Sequence, residues 1–402
     1  MTRKLILCGL VAGLLATPAL AVDRVSATEK GSLLIFPKVE IRWDVSGNVI
    51  QDTFIDIAND YPLGVEVQMY FINGDAPLPA APPERAHPGW NSTDVGIFLT
   101  ANQPTYWSAA TGQPANGGLP PFNILDPNGP GQLPGRPAPE PGATDRVMRG
   151  YVVAWAVNNL GEEIRWNHLK GDVTIVNYMK GTAWEYNAYT FSVVAPGINH
   201  GDVLPDPGTM LLDGTEYEPG FDLLLLDFYK VGSEAFSKPG YLVSIDTDLT
   251  LLPISVDLRQ ETDGPVTTKA SFTIWDMNET KLTGLDRCVT CWDQTLLRQY
   301  GIPNHFVFMQ TDKGKAQIDG LASQLCDTPE ITSVAASLLG VAAKHLTFAS
   351  GDYAAAGTNL IGMGTQGGVI RADLIGEPTP ERPDVIGGDF QLDRAYLPVG
   401  PR

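Results

Sequence analysis

Cysteine and histidine are scarce in this chain, with 4 and 5 residues among 402. Basic residues are also few. Against 46 Asp and Glu stand only 27 Lys and Arg, a net charge of −19. So acidic a chain repels phosphate, which excludes nucleic acid as its main partner. Methionine numbers 8, against 42 glycines and 32 prolines, a balance that argues against a helical bundle or coiled coil. None of the five histidines sits in H-E-x-x-H, and G-x-S-x-G does not occur. Beyond the N-terminus no stretch reaches the ~20 apolar residues of a membrane helix. The four leucines between Asp222 and Asp227 fall far short, so no membrane insertion is expected.

What is present begins with an address. Arg3 and Lys4 precede an apolar run from Leu5 to Leu15, and Ala19-Leu20-Ala21 has the A-x-A form of a cleavage site. Residues 1–21 are therefore read as a signal peptide, cleaved after Ala21. Losing Arg3 and Lys4 takes the charge from −19 to −21. The expected location is the periplasm, the cell surface or the medium. At 43% hydrophobic, the rest is rich enough to fill a core and long enough for two or three domains.

Strand-like segments recur along the chain, separated by turn residues. Ser32 to Trp43 is apolar and β-branched, and its Pro37 points to an edge or a bulge. Thr53 to Asn59 follows. In Val65 to Phe71 the apolar residues Val65, Val67, Met69 and Phe71 alternate with Glu66 and Gln68, the period of a half-buried strand. Val95–Thr100, Thr105–Ala109, Gly150–Val157 and Asp172–Asn177 continue the series. Residues 111–142 hold 9 Pro and 7 Gly and are read as a loop inserted in the first domain. From about Asp246 the pattern restarts, with strands at Leu249–Leu258, Thr267–Trp275, Asn304–Gln310, Lys315–Ile318, Leu346–Ala349 and Val369–Leu374. Phe54-Ile-Asp-Ile-Ala-Asn and Phe272-Thr-Ile-Trp-Asp-Met occupy matching places in the two halves, a trace of two copies of one sandwich. Only Trp292–Tyr300 and Val334–His345 also fit a helical period, and alternation fits the second nearly as well.

The fold expected is all-β: two Ig-like antiparallel β-sandwich domains with long Pro/Gly-rich loops. Domain 1 is placed at 22–200, an acidic connecting segment at 201–245, domain 2 at 246–375 and an extended tail at 376–402. Asp56-Ile-Ala-Asn59, then Val65–Gly74, then Phe98-Leu-Thr-Ala-Asn-Gln103 resembles secreted bacterial proteins with Ig-like sandwiches. The resemblance covers one sandwich domain and implies no catalytic residue.

Three cysteines outlast export: Cys288, Cys291 and Cys326. An oxidising compartment favours one structural bridge between Cys326 and either Cys288 or Cys291. Cys288-Val-Thr-Cys291 is also a C-x-x-C, but no βαβ pattern surrounds it. Zinc held by the three cysteines and His305 is a third reading. Trp292 stands where a haem-attachment motif needs histidine, which excludes that motif. Gly362-Met-Gly364-Thr-Gln-Gly367 matches G-x-G-x-x-G, yet a strand-like segment follows it where a dinucleotide site needs a helix. Clustered acids at Asp202, Asp206, Asp213, Glu216 and Glu218 carry the oxygen chemistry of a calcium site without the calcium-loop pattern. His200-Gly-Asp202 is a candidate acid–base pair. Trp90 and Trp107 border loops and are the candidates to stack a sugar.

No catalytic constellation emerges. The function expected is that of an exported, non-catalytic structural or interaction protein, binding a protein partner or a second copy through exposed β-edges. A carbohydrate-binding or carbohydrate-active protein is the first alternative, and a calcium-binding surface protein the second.

Overall fold

The computed structural model describes residues 30–75, 92–112, 136–139, 142–205, 207–208, 210–212, 214–229, 232–235, 242–254, 266–297, 311–322, 324–327, 330–332 and 337–363. These form an all-β protein of antiparallel sheets, with no α-helix among them. None of the described residues belongs to a helix long and apolar enough to cross a membrane. The Gly362–Gly367 stretch, the 111–142 loop and the 376–402 tail lie largely or wholly outside this set.

In chain order the strands are β1 (Leu33–Trp43), β2 (Val49–Asn59), β3 (Val65–Asn73), β4 (Ser92–Leu99), β5 (Gln103–Ser108), β6 (Arg136–Pro137), β7 (Arg146–Val157), β8 (Leu169–Asn177), β9 (Thr182–Asn187) and β10 (Tyr189–Phe191). There follow β11 (Leu223–Tyr229), β12 (Gly232–Ala235), β13 (Leu242–Pro253), β14 (Thr267–Asp276), β15 (Lys281–Thr290) and β16 (Asp293–Leu296). The last are β17 (Lys313–Leu321), β18 (Leu325–Asp327), β19 (Glu330–Thr332), β20 (Leu338–Phe348), β21 (Tyr353–Asn359) and β22 (Ile361–Met363).

The first ten strands form one sheet that divides into two limbs. β1 and β2 pair only near their hairpin, at Arg42 with Gln51 and Trp43 with Val49. Beyond that they part. β1 runs beside β7 and β10, and β7 carries β3 and β4 beyond it. β2 runs between β5 and β8, with β9 outside β8. One core cluster joins the limbs: Leu34, Phe36, Met69, Phe71 and Val152 on one side, Ile55, Ile57, Trp107, Val173 and Trp184 on the other.

The later strands form a sheet ordered β15-β14-β17-β11-β22 and another ordered β12-β13-β20-β21, with β16 also on β13. Their core residues, among them Leu226, Leu251, Phe272, Ile318 and Leu339, join Leu33, Ile35, Tyr151, Val153 and Trp155 in a second cluster. β1 and β7 are thus buried on both faces. That is why Leu33–Phe36 and Tyr151–Val157 read as nearly unbroken apolar runs rather than alternation.

Pro37 sits in a bulge, where the β1–β7 register shifts between Phe36 and Val39. A bulge inserts an extra residue, and here it flips the strand's parity. Leu34 and Phe36 face the first cluster before it, and Val39 and Ile41 face that cluster after it. Lys38, Glu40 and Arg42 are left on the opposite face.

Of the two segments that also fitted a helical period, the described residues contain the strands β16 and β20. β20 spends its apolar residues on both sides, Leu338, Leu339 and Ala342 into one core and Val341 and Ala343 into the other, which is how a strand mimics helical spacing. Within 201–245 the chain forms β11 and β12 and begins β13. In β11 alternate residues Leu224, Leu226 and Phe228 are buried while Leu223 and Leu225 are half-buried.

Candidate functional site

The cysteines resolve into one bridge. Cys288 on β15 is joined to Cys326 on β18, with Cα atoms 5.9 Å apart, tying a sheet edge to the β18–β19 hairpin. Cys291 stays outside the bridge, its side chain buried just past the end of β15. His305 lies outside the described residues. Among the described residues no three His, Cys, Asp or Glu side chains gather as metal ligands.

The acidic candidates are dispersed in use. Glu216 and Glu218 are buried, where Glu216 accepts from the Leu211 amide (3.2 Å) and Glu218 from the Ser192 amide (3.1 Å). Asp202 is exposed and accepts from the backbone and side chain of Asn199, so its carboxylate closes its own turn. Asp206 and Asp213 lie outside the described residues, as does Trp90. Trp107 is 1% exposed and packs on Phe71 at 5.7 Å between ring centroids, so its ring offers no open face to a sugar. Trp184 is buried as well.

Two constellations were not read from the sequence. The first is a buried ionic network on the face that the β1 bulge reverses. Lys38 Nζ lies 2.7 Å from Asp248 of β13 and 3.6 Å from Glu40. Gln294 of β16 donates to both carboxylates, at 3.0 Å to Glu40 and 2.9 Å to Asp248. Arg42 pairs with Glu40 and, at 3.0 Å, with Asp145. Arg149 of β7 reaches Gln294 (3.2 Å) and holds Asp75 with two hydrogen bonds of 3.0 Å. Burial pushes the Glu40 carboxyl up, but Arg42 and Lys38 outweigh it and bring it down to about 2. Asp248 is likewise held low against its burial, by Lys38 and His345. Every charged group here is met by an opposite charge or a donor, which is how buried ions survive. The legible signal was Lys38-Val-Glu40-Ile-Arg42, charges alternating inside an apolar strand.

The second constellation is built by Asn59, which ends β2 in the stretch that carries the family resemblance. Asn59 is buried and uses its whole amide. Nδ2 donates to the carbonyls of Leu63 (2.7 Å) and Thr100 (3.3 Å). Oδ1 accepts from the Tyr61 amide (3.1 Å) and from Trp166 Nε1 (3.0 Å). Asn102, at φ 53°, completes the turn before β5, and its amide donates to the Tyr61 carbonyl at 3.1 Å. The Asn59 and Leu99-Thr-Ala-Asn-Gln103 pieces therefore meet to fix Tyr61 beside Trp166. Against Tyr61 lie His200 (centroids 3.9 Å), His168 (4.5 Å) and Trp166 (5.1 Å), and His168 and His200 are 5.2 Å apart. Asp60 accepts from Lys30 and lies 2.9 Å from His168 Nδ1. Trp166 is buried, Tyr61 and His168 are half-buried and His200 is exposed, so the cluster presents a histidine rather than a flat aromatic face to solvent.

A third feature is an edge. β4 ends its sheet and has a strand partner, β3, on one side only among the described residues. Ile97 and Leu99 point into the core, and Asp94, Gly96 and Phe98 are exposed. β4 contains no Lys, Arg or Pro. By contrast, the edges of β9 and β21 are tied together. Asn359 accepts from the Asn187 amide (3.0 Å) and donates to its carbonyl (2.7 Å).

No family model and no curated protein matches the chain. Among solved structures, a glycosyl hydrolase family 2 member from Bacteroides cellulosilyticus aligns at 8% identity and a TM-score of 0.11. That alignment takes in 83% of this chain but only 28% of the hydrolase, so the chain spans less than a third of that protein's length. The CupB6 tip adhesin from Pseudomonas aeruginosa aligns at 10% identity and a TM-score of 0.12, over 84% of this chain and 93% of the adhesin. Similarity at this level carries no argument about function.

Proposed function

We propose that the chain is exported to the periplasm or cell surface and acts there without catalysis, as a structural or interaction protein that docks by strand addition at β4. The observation that supports this reading is the one-sided pairing of β4. Such an edge presents a row of backbone donors and acceptors to a further strand. Natural edges are commonly blunted by Lys, Pro or inward charge. β4 has none of these, and its one charged residue, Asp94, is held by Gln68 at 2.9 Å. Phe98, 60% exposed, supplies an apolar anchor beside the open backbone. The buried ionic groups have structural partners. The occupant with matching chemistry is another β4 in antiparallel register, a second copy of this chain. The leader at 1–21 supports export.

The test places a photo-crosslinking amino acid at Gly96, where an added side chain meets only open space and the Gln68 side chain. Illumination of the mature protein should give an adduct of twice the chain mass. Monomer alone, at every concentration tried, would contradict strand addition between copies.

A further inference from the structure

We propose that residues 196–204 form an acid-released strap, docked on Tyr61 and Trp166 at neutral pH and freed when His200 is protonated. The strap lies along 163–166 by backbone bonds. Arg165 donates to the Asp202 carbonyl (2.9 Å), Gly201 to the Arg165 carbonyl (2.8 Å) and Leu204 to the Glu163 carbonyl (2.9 Å). The Arg165 guanidinium also donates to the Ile198 carbonyl. At its tip the His200 ring packs on Tyr61 at 3.9 Å and on Trp166 at 4.3 Å between centroids. The same ring stands 5.2 Å from the His168 ring, so protonating both would set two like charges side by side.

Acidic and basic groups both surround the histidine pair, and those that act on His200 itself are His168 and Arg165. From the β1 side comes Lys30, from the 59–64 turn Asp60, from the 163–168 segment Arg165 and His168, and from the strap itself Asp202. Asp60 is engaged by Lys30 and His168, and Asp202 by Asn199. Burial, then His168 and Arg165, lower the proton affinity of His200. Burial, then Lys30, do the same for His168. A ring that binds its proton more weakly when docked than when free is driven off by acid. Between the ordinary histidine value near 6.5 and the lowered values, falling pH therefore favours the released strap. Release uncovers the rings of Tyr61 and Trp166, so an apolar surface appears only under acid conditions. This inference does not depend on the β4 edge.

Hydrogen exchange at the Arg165, Gly201 and Leu204 amides tests it, with protection corrected for the intrinsic effect of pH. Between pH 7.5 and pH 5 their protection should fall several-fold. The Ile57 amide, within β2, should not change. His200→Phe keeps the ring and removes the charge, so it should hold protection at pH 5. Equal protection of the wild type at both pH values would overturn the proposal, as would an equal loss in His200→Phe. If that variant folds poorly, an NMR titration of His200 in the wild type decides. A value below 6.5 supports the strap, and one at or above it refutes it.

Discussion

Lys38 shows how one residue can be both a packing problem and its solution. The bulge at Pro37 turns Lys38 and Glu40 away from the first core and toward Asp248 and Gln294. Replacing Lys38 by Ala would leave the buried Asp248 without its lysine, while Glu40 keeps Arg42. Breaking a buried pair from one side costs about 3–5 kcal/mol. Urea denaturation of Lys38→Ala should show a loss of that order, and a change under about 1 kcal/mol would mean the pairing is not structural. The same network sets an acid limit. Glu40 and Asp248 titrate lower folded than unfolded, so their stabilisation is complete above pH ~4.5 and drains away as pH falls toward 2. Stability measured at pH 6, 4 and 3 should drop most steeply in the last interval. A flat profile would contradict the assignment. Lys38, Glu40 and Arg42 were visible as alternating charges, but their partners Asp248, Gln294 and Asp145 lie 210, 254 and 103 residues away, and no local pattern reports contacts that distant. Asn59 was visible only as the end of a strand. Its four hydrogen bonds depend on where Leu63, Thr100 and Trp166 arrive in space.

At the scale of elements, alternation in Val65–Phe71 and Thr267–Trp275 anticipates β3 and β14, because each of these strands buries one face. Where both faces are buried, as in β1, β7 and β20, the period disappears. There only length and β-branching point to a strand. β11 escaped notice for a related reason, since four consecutive leucines carry no alternation although alternate residues are the more buried. The bridge was expected at Cys326, and the choice of Cys288 over Cys291 depends on the position of β18, which spacing does not report. Replacing Cys288 and Cys326 together by alanine should cost about 2–5 kcal/mol, as removal of a native disulfide does. An unchanged melting temperature would mean that the crosslink adds nothing. At the β9–β21 junction, a Cβ on Gly357 would stand 1.9 Å from the Trp184 ring. Gly357→Ala should therefore destabilise by about 1–3 kcal/mol, the range for overpacking. Thermal melts with the Cys288–Cys326 bridge intact would read this directly, and a neutral effect would show that the two edges can part freely.

Across the whole molecule, β1 and β7 serve both core clusters, so residues before position 200 and after position 246 stabilise one another. Calorimetry should find a single cooperative transition, whereas two well-separated peaks would show that the clusters melt independently. A net charge of −19 weakens broad surface attraction between copies and leaves association to a specific element. That element, in the account given above, is β4. The most direct measurement is sedimentation of the mature protein from low micromolar to near-millimolar concentration, beside the variant Gly96→Lys/Phe98→Lys. Strand addition at β4 predicts a dimer that grows with concentration in the wild type and is lost in the variant. A wild type that stays monomeric throughout, or a variant that associates as well as the wild type, would contradict it.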